Sequence, residues 1–185
     1  MYIDPSLYTG RPAERRSDTE ERCYDLLDRL GIDYVRVDHE HADTIEQCEL
    51  VEEQLGCKIC KNLFLTNRQQ TDFYLLLMPG EKPFKTRLLS KQIGTARLSF
   101  ASPGHMGALL GVTPGSVSVL GLMNDAEKRV RLLIDRDLLT EERFGCHPCL
   151  NSTSLCFSTE ALLHTLLPAL GADPTWVDLP WEIEE

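Results

Sequence analysis

The chain has 185 residues, 42% of them hydrophobic and 26% charged, with a formal net charge of -10. That length supports one well-buried core and is short for two, and the composition is ordinary for a soluble globular domain. No apolar run approaches the roughly 20 residues needed to span a bilayer, and residues 1–16 lack the apolar centre of a secretory signal, so a cytoplasmic protein with no membrane partner is expected.

Residues 1–16, with Pro5, Gly10 and Pro12, show no period and read as an extended lead-in. Ser17-Asp18-Thr19-Glu20 has the form of a capping box, and Cys23, Leu26, Leu27 and Leu30 follow at helical spacing up to Gly31, predicting a helix over 18–30. Residues 32–38 alternate like a strand. Asp43 with Glu46 is expected to cap a second helix, with Ile45, Cys48, Val51 and Leu55 facing inward and Gly56 ending it. Two strands follow, over 61–66 and 72–78, joined by a polar link that makes a hairpin the simplest pairing. Phe73-Tyr74-Leu75-Leu76-Leu77-Met78 is apolar on both faces and should be a central strand covered on both sides. A helix over 86–93, a short strand over 96–101 and a short helix over 103–110 come next, the last with Pro near its start. After the turn 111–115, strands are expected over 116–120, 130–135 and 154–157, then a final helix over 159–170. The acidic tail, with two tryptophans, reads as loosely packed. These elements predict a single α+β domain over 17–171, with a mixed, mostly antiparallel sheet, flanking helices and a tail over 172–185.

Charge is unevenly distributed. Between Lys58 and Arg97 eight basic residues meet only Asp72 and Glu81, although the whole chain is acidic. Such asymmetry suits a protein that grips one short phosphate segment and repels polyanions elsewhere; a solvated face is the plain alternative.

Seven cysteines, odd in number and unevenly spread, make a poor disulfide framework and fit reduced thiols packed as small apolar groups. Cys57-Lys58-Ile59-Cys60 and Cys146-His147-Pro148-Cys149 are both C-x-x-C, the usual ligand supply of a structural zinc. Their separation is much longer than in a compact zinc ribbon, and no metal or other cofactor is assigned. Cysteine catalysis needs a thiolate paired with a histidine, and the adjacency of Cys146 and His147 in sequence does not establish one. Phosphate-binding glycine fingerprints are absent, though the turn ending at Gly115-Ser116 can present backbone amides. Lys61, heading an apolar strand, either snorkels to solvent or projects a cation into a cleft.

Four segments in order, Lys61-Asn62-Leu63-Phe64-Leu65, Arg97-Leu98-Ser99-Phe100-Ala101, Gly111-Val112-Thr113-Pro114-Gly115-Ser116-Val117-Ser118 and Gly145-Cys146-His147-Pro148-Cys149-Leu150-Asn151, resemble the YbaK/ProX family of trans-editing deacylases. The resemblance runs from about residue 18 to 170 and is nearest to the freestanding alanyl-specific branch. It implies hydrolysis of a mischarged aminoacyl ester on tRNA-Pro, Ala-tRNA-Pro first and Cys-tRNA-Pro second, with prolyl-tRNA synthetase as a possible partner. It also implies roles: Lys61 holding a phosphate near the 3′-terminal adenosine, Asn62 placing the ester, and His147, Pro148 and Asn151 shaping the acyl pocket. The Gly115-Ser116 loop would supply backbone donors, and a ribose hydroxyl, rather than a side-chain base, would position the water. A non-catalytic tRNA- or synthetase-binding module of the same fold is the reading from another class.

Overall fold

The computed structural model describes residues 1–184. In chain order its elements are β1 (Tyr8–Thr9), α1 (Asp18–Arg29), β2 (Val35–Asp38), α2 (Ile45–Leu55), β3 (Lys61–Thr66), β4 (Phe73–Met78), α3 (Thr86–Ile93), β5 (Ser99–Phe100), α4 (Pro103–His105), β6 (Val130–Asp135), β7 (Arg143–Cys146), β8 (Thr153–Ser158), α5 (Thr159–Ala161), α6 (Leu167–Ala169) and β9 (Thr175–Val177). The strands form two sheets, one of four strands in the order β1-β2-β8-β7 and one of five in the order β5-β3-β4-β6-β9. This is a single α+β domain. Among the described residues no helix is long and apolar enough to cross a membrane.

Strand β4 explains the layering. Successive side chains leave a strand on opposite faces, and every residue of β4 is buried. Phe73, Leu75 and Leu77 enter the main core with Cys23, Leu27, Phe144 and Leu155, whereas Tyr74, Leu76 and Met78 enter a second core with Leu89 of α3 and Val177 of β9. The expected hairpin is present, β3 pairing antiparallel with β4 in the register Lys61↔Met78 to Thr66↔Phe73. β6 then adds parallel to β4 and β9 parallel to β6.

Several expectations change in the structure. Only half of the first capping box forms: Ser17 Oγ accepts from the Glu20 amide, but the Glu20 carboxylate accepts from the Tyr24 hydroxyl at 2.7 Å instead of returning to Ser17. The second helix is capped by Thr44 with Gln47, not by Asp43 with Glu46, and Ile45 is 76% exposed rather than inward. Residues 116–120 are not a strand. Ser118 caps a 3-10 helix over Val119–Asn124, and the approach of Gly121 to the Leu110 carbonyl, 2.9 Å from where a Cβ would sit, holds that turn closed. α4 and the final helix each pass through a π-helical turn, Met106–Leu110 and Leu162–Leu166. Strand β7 was not expected at all. The tail is not loose: residues Thr175–Val177 are an edge strand, with Val177 and Leu179 in the second core.

Candidate active site

The segments that begin at Lys61 and end at Asn151 meet because of one glycine. Gly145 pairs with Ile59 in an isolated parallel bridge, and the Cys60 amide donates to the Gly145 carbonyl at 3.2 Å. A Cβ on Gly145 would stand 2.5 Å from the Lys58 carbonyl and 3.1 Å from Ile59 Cα, so only glycine lets the two backbones approach this closely. The bridge ties the end of β7 to the start of β3, hence one sheet to the other. It opens a cavity of about 800 Å³ whose walls include Lys61, Asn62, Gly115 and His147, with α2 on one side and Trp181 on another.

Lys61 shares the sheet face of Leu63 and Leu65 and is half-buried. Its Nζ donates to the Lys82 carbonyl at 2.6 Å, leaving two further N–H bonds, and burial lowers its pKa from the ordinary lysine value. Lys82 itself is wholly buried. All three of its ammonium protons are used, by Asp135 Oδ2 at 2.8 Å, Asp137 Oδ2 at 2.6 Å and the Leu179 carbonyl at 2.6 Å. The Trp181 ring lies 4.8 Å from the ammonium and its indole N–H donates to Asp137 at 2.9 Å. Burial acts to lower the Lys82 pKa, but the two carboxylates outweigh it and raise the net value. The basic run is therefore less free than its sequence implies, since Lys82 is neutralised in this cage and Lys58 pairs with Glu81 at 2.5 Å.

Asn62 is oriented by its neighbour. Its Nδ2 donates to the Cys60 carbonyl at 3.1 Å, and the Cys60 thiol donates to its Oδ1 at 3.6 Å. Burial pushes that thiol up to about 12, so it stays protonated and remains a donor. His147 Nδ1 lies 3.0 Å from the Thr153 carbonyl; a carbonyl only accepts, so Nδ1 carries the proton and the bare lone pair is on Nε2. Burial lowers the His147 pKa to about 4, against a smaller upward pull from that carbonyl, so the ring is neutral at pH 7.

The structure brings Lys61, Asn62, His147 and Gly115, which sits at φ +84°, to one cavity. It does not bring Ser116, Pro148 or Asn151 to its wall. Ser116 is buried in its own turn, with its amide on the Thr113 carbonyl and its hydroxyl 3.4 Å from that of Thr113. Asn151 commits both amide atoms to Ala42, Oδ1 accepting from its amide at 3.3 Å and Nδ2 donating to its carbonyl at 3.2 Å. It is a buried staple between the loop before β8 and the segment after β2, placing Gly115 indirectly. Pro148 is buried behind His147. The Lys82 cage escaped sequence reasoning because its partners lie 53, 55 and 97 positions away and a Gly-Glu-Lys-Pro turn looks like any solvated loop.

Chemically, the cavity offers the donors of Lys61 and Asn62 and the neutral ring of His147, in a wall that also carries the carboxylates of Asp43, Glu49, Glu52, Glu81, Asp137 and Glu141. Cys60 and Cys146 are held above the range in which a thiolate forms at neutral pH, chiefly by burial. The two C-x-x-C pairs are divided between other partners, Cys57 facing Cys156 and Cys149 facing Cys23. Among the described residues no group of three or more His, Cys, Asp or Glu side chains is gathered as a metal requires. The arrangement suits the binding and polarisation of an already activated carbonyl, with water as the attacking group.

A family model for the aminoacyl-tRNA editing domain matches residues 39–165, a span holding Lys61, Asn62 and His147. The chain is 31% identical over 145 residues to the prolyl-tRNA editing protein ProX of Acetoanaerobium sticklandii, covering 78% of this chain and 88% of that protein. It is 29% identical over 157 residues to the prolyl-tRNA synthetase associated domain-containing protein 1 of Danio rerio, covering 84% and 83%. Among solved structures, a candidate trans-editing enzyme for prolyl-tRNA synthetase superposes with a TM-score of 0.64 at 17% identity, over 90% of this chain and 100% of that one. That likeness concerns the fold.

Proposed function

Because this chain belongs to the aminoacyl-tRNA editing family, and is thereby an aminoacyl-tRNA deacylase, we propose that it hydrolyses, in trans, the ester of alanine wrongly attached to tRNA-Pro. The observation that carries this reading is the convergence of Lys61, Asn62, Gly115 and His147 on one cavity of about 800 Å³. The relatives named for prolyl-tRNA editing and for prolyl-tRNA synthetase support tRNA-Pro as the carrier and that synthetase as a partner.

In this reading the acceptor end of the tRNA enters beside Lys61, whose two free N–H bonds take a phosphate oxygen next to the 3′-terminal adenosine. Asn62, already held by Cys60, turns its remaining amide proton toward the ester carbonyl, and the Gly115 turn presents backbone to it. Water adds to that carbonyl carbon, the bond to the ribose oxygen breaks, and the proton lost by the water ends on the departing ribose hydroxyl. A well-aimed donor to the developing oxyanion contributes roughly 3–4 kcal/mol, ample help for an ester that is already reactive. Discrimination at the synthetase is the reason such a site is needed: the lost apolar contacts of a smaller side chain are worth only about 1–3 kcal/mol, and a second site that hydrolyses the wrong ester removes what slips through.

A deacylation panel with tRNA-Pro charged with alanine, cysteine, serine or proline tests the assignment. The alanyl ester is expected to be cleaved and the prolyl ester spared, and Lys61→Ala should abolish cleavage while leaving the protein folded. Faster cleavage of the cysteinyl ester would move the acyl specificity. Salt-sensitive binding of the tRNA with no turnover of any ester would replace the enzyme with a binding module.

A further inference from the structure

His147 is not held by its own loop alone. Its Nδ1 also lies 3.3 Å from Ser154 Oγ, and that hydroxyl lies 2.8 Å from Nε2 of His39. His39 in turn places Nδ1 2.7 Å from the Glu40 carbonyl. The two rings are 6.1 Å apart, and both His39 and Ser154 are almost fully buried. None of these contacts involves an ion pair, and the remaining titratable neighbour that acts on His147 is His41.

The direction of every proton in this chain follows from its two ends. The Glu40 carbonyl can only accept, so His39 carries its proton on Nδ1 and leaves Nε2 as an acceptor. The buried Ser154 hydroxyl must then donate to His39, turning an oxygen lone pair toward His147. That lone pair and the Thr153 carbonyl both face His147 Nδ1, which is held as a donor twice over. We propose that His39 is a positioning residue of this site: by accepting the Ser154 proton it keeps that proton off His147 Nδ1, and so leaves Nε2 of this cavity-lining residue an acceptor.

The consequence of removing His39 is specific. With no acceptor on that side, the Ser154 hydroxyl is free to turn its proton toward His147 Nδ1, where it competes with the Thr153 carbonyl for the tautomer. Where the hydroxyl wins, the ring carries its proton on Nε2 and presents a donor where it had presented a lone pair. An acceptor at that place suits the α-ammonium group of an aminoacyl ester or a proton of the attacking water; a donor suits neither. The proposal rests on the deacylase reading only in this last step.

The experiment uses the full chain with 15N-labelled histidine. Wild-type His147 is expected as the Nδ1–H tautomer in nitrogen spectra at pH 7. His39→Phe, which keeps a ring of similar shape but no acceptor, should move His147 toward the Nε2–H tautomer and lower kcat on Ala-tRNA-Pro on the order of tenfold, with KM little changed. Deleting the hydroxyl as well, in the double variant His39→Phe with Ser154→Ala, should restore both tautomer and kcat, since only the Thr153 carbonyl then faces Nδ1. His39→Gln, whose amide oxygen can replace the lost acceptor, should resemble wild type, and His39→Leu serves as a second acceptor-free variant if the phenylalanine does not fold. A His147 tautomer that ignores His39, or a double variant no better than the single one, would overturn the proposal, because a merely structural histidine is not rescued by losing a further hydrogen bond. A tautomer that follows His39 in a protein inactive on Ala-tRNA-Pro would support it and count only against the substrate assignment.

Discussion

Two lysines twenty-one residues apart illustrate how burial and function divide. Lys61 keeps two of its three N–H bonds free at the cavity, whereas Lys82 has none free and no exposed surface. Lys82 belongs to the site through its carbonyl, which accepts from Lys61 and fixes where that ammonium points. Replacing it by an apolar residue of similar length leaves Asp135, itself 1% exposed, without its counter-charge. Lys82→Met is therefore expected to cost about 3–5 kcal/mol of stability, read as a lower denaturant midpoint with an unchanged slope. Asp135→Asn/Lys82→Met, which removes both charges, should recover part of that loss. Had Lys82 been an exposed loop residue, as its sequence context implies, the single variant would unfold at the wild-type midpoint.

At the scale of elements, what could be read locally agrees with the structure and what depends on distant partners does not. β3, α3 and β6 have the bounds expected from sequence, since alternation, helical period and a following glycine are all local signals. The cap of α2 went to Thr44 because Gln47, not Glu46, stands at the third helical position, an error of one residue. The 3-10 turn in place of a strand over 116–120 depends on Leu110 and Asn124, and β9 on Leu133 and Ile134; neither partner can be found by period. Of the residues expected at the site, Lys61, Asn62 and His147 line the cavity, whereas Ser116 and Asn151, in equally recognisable motifs, lie off its wall and hydrogen-bond to nearby backbone. Gly145 matters more than its place in a motif indicates, because it is the crossing of the two sheets. Gly145→Ala must push the 58–60 segment aside, at about 1–3 kcal/mol. Its effect on aminoacyl-tRNA hydrolysis should be larger than its effect on folding, on the order of a hundredfold in kcat, because Lys61 and Asn62 move with that segment. Comparable losses in the melting curve and in activity would show that the crossing serves stability alone.

The whole molecule should come apart in acid in two stages. His147 has a folded pKa of about 4, below the usual 6.5, because burial favours its neutral form. The unfolded chain therefore takes up this proton first, and stability declines as pH falls from about 6.5 to 4, by on the order of 3 kcal/mol. Asp38 behaves as a depressed carboxylate: although burial acts to raise it, the Arg16 and Arg36 guanidinium groups bring it down from 3.8 to about 2. Its contribution, on the order of 2 kcal/mol, is present above about pH 4 and lost as pH falls toward 2. Denaturant midpoints measured against pH should show both declines, and Asp38→Asn should flatten only the lower one. The Lys82 cage has a different consequence, in time. Its last ligands, Leu179 and Trp181, are made 97 and 99 residues after the lysine, which at about 5–20 residues per second of synthesis is roughly 5–20 s later. A nascent chain can form the β3–β4 hairpin long before then, but its Lys61 lacks a fixed carbonyl to lean on. The support of Lys61 is therefore complete only once residues 179 and 181 have been made and have closed on Lys82.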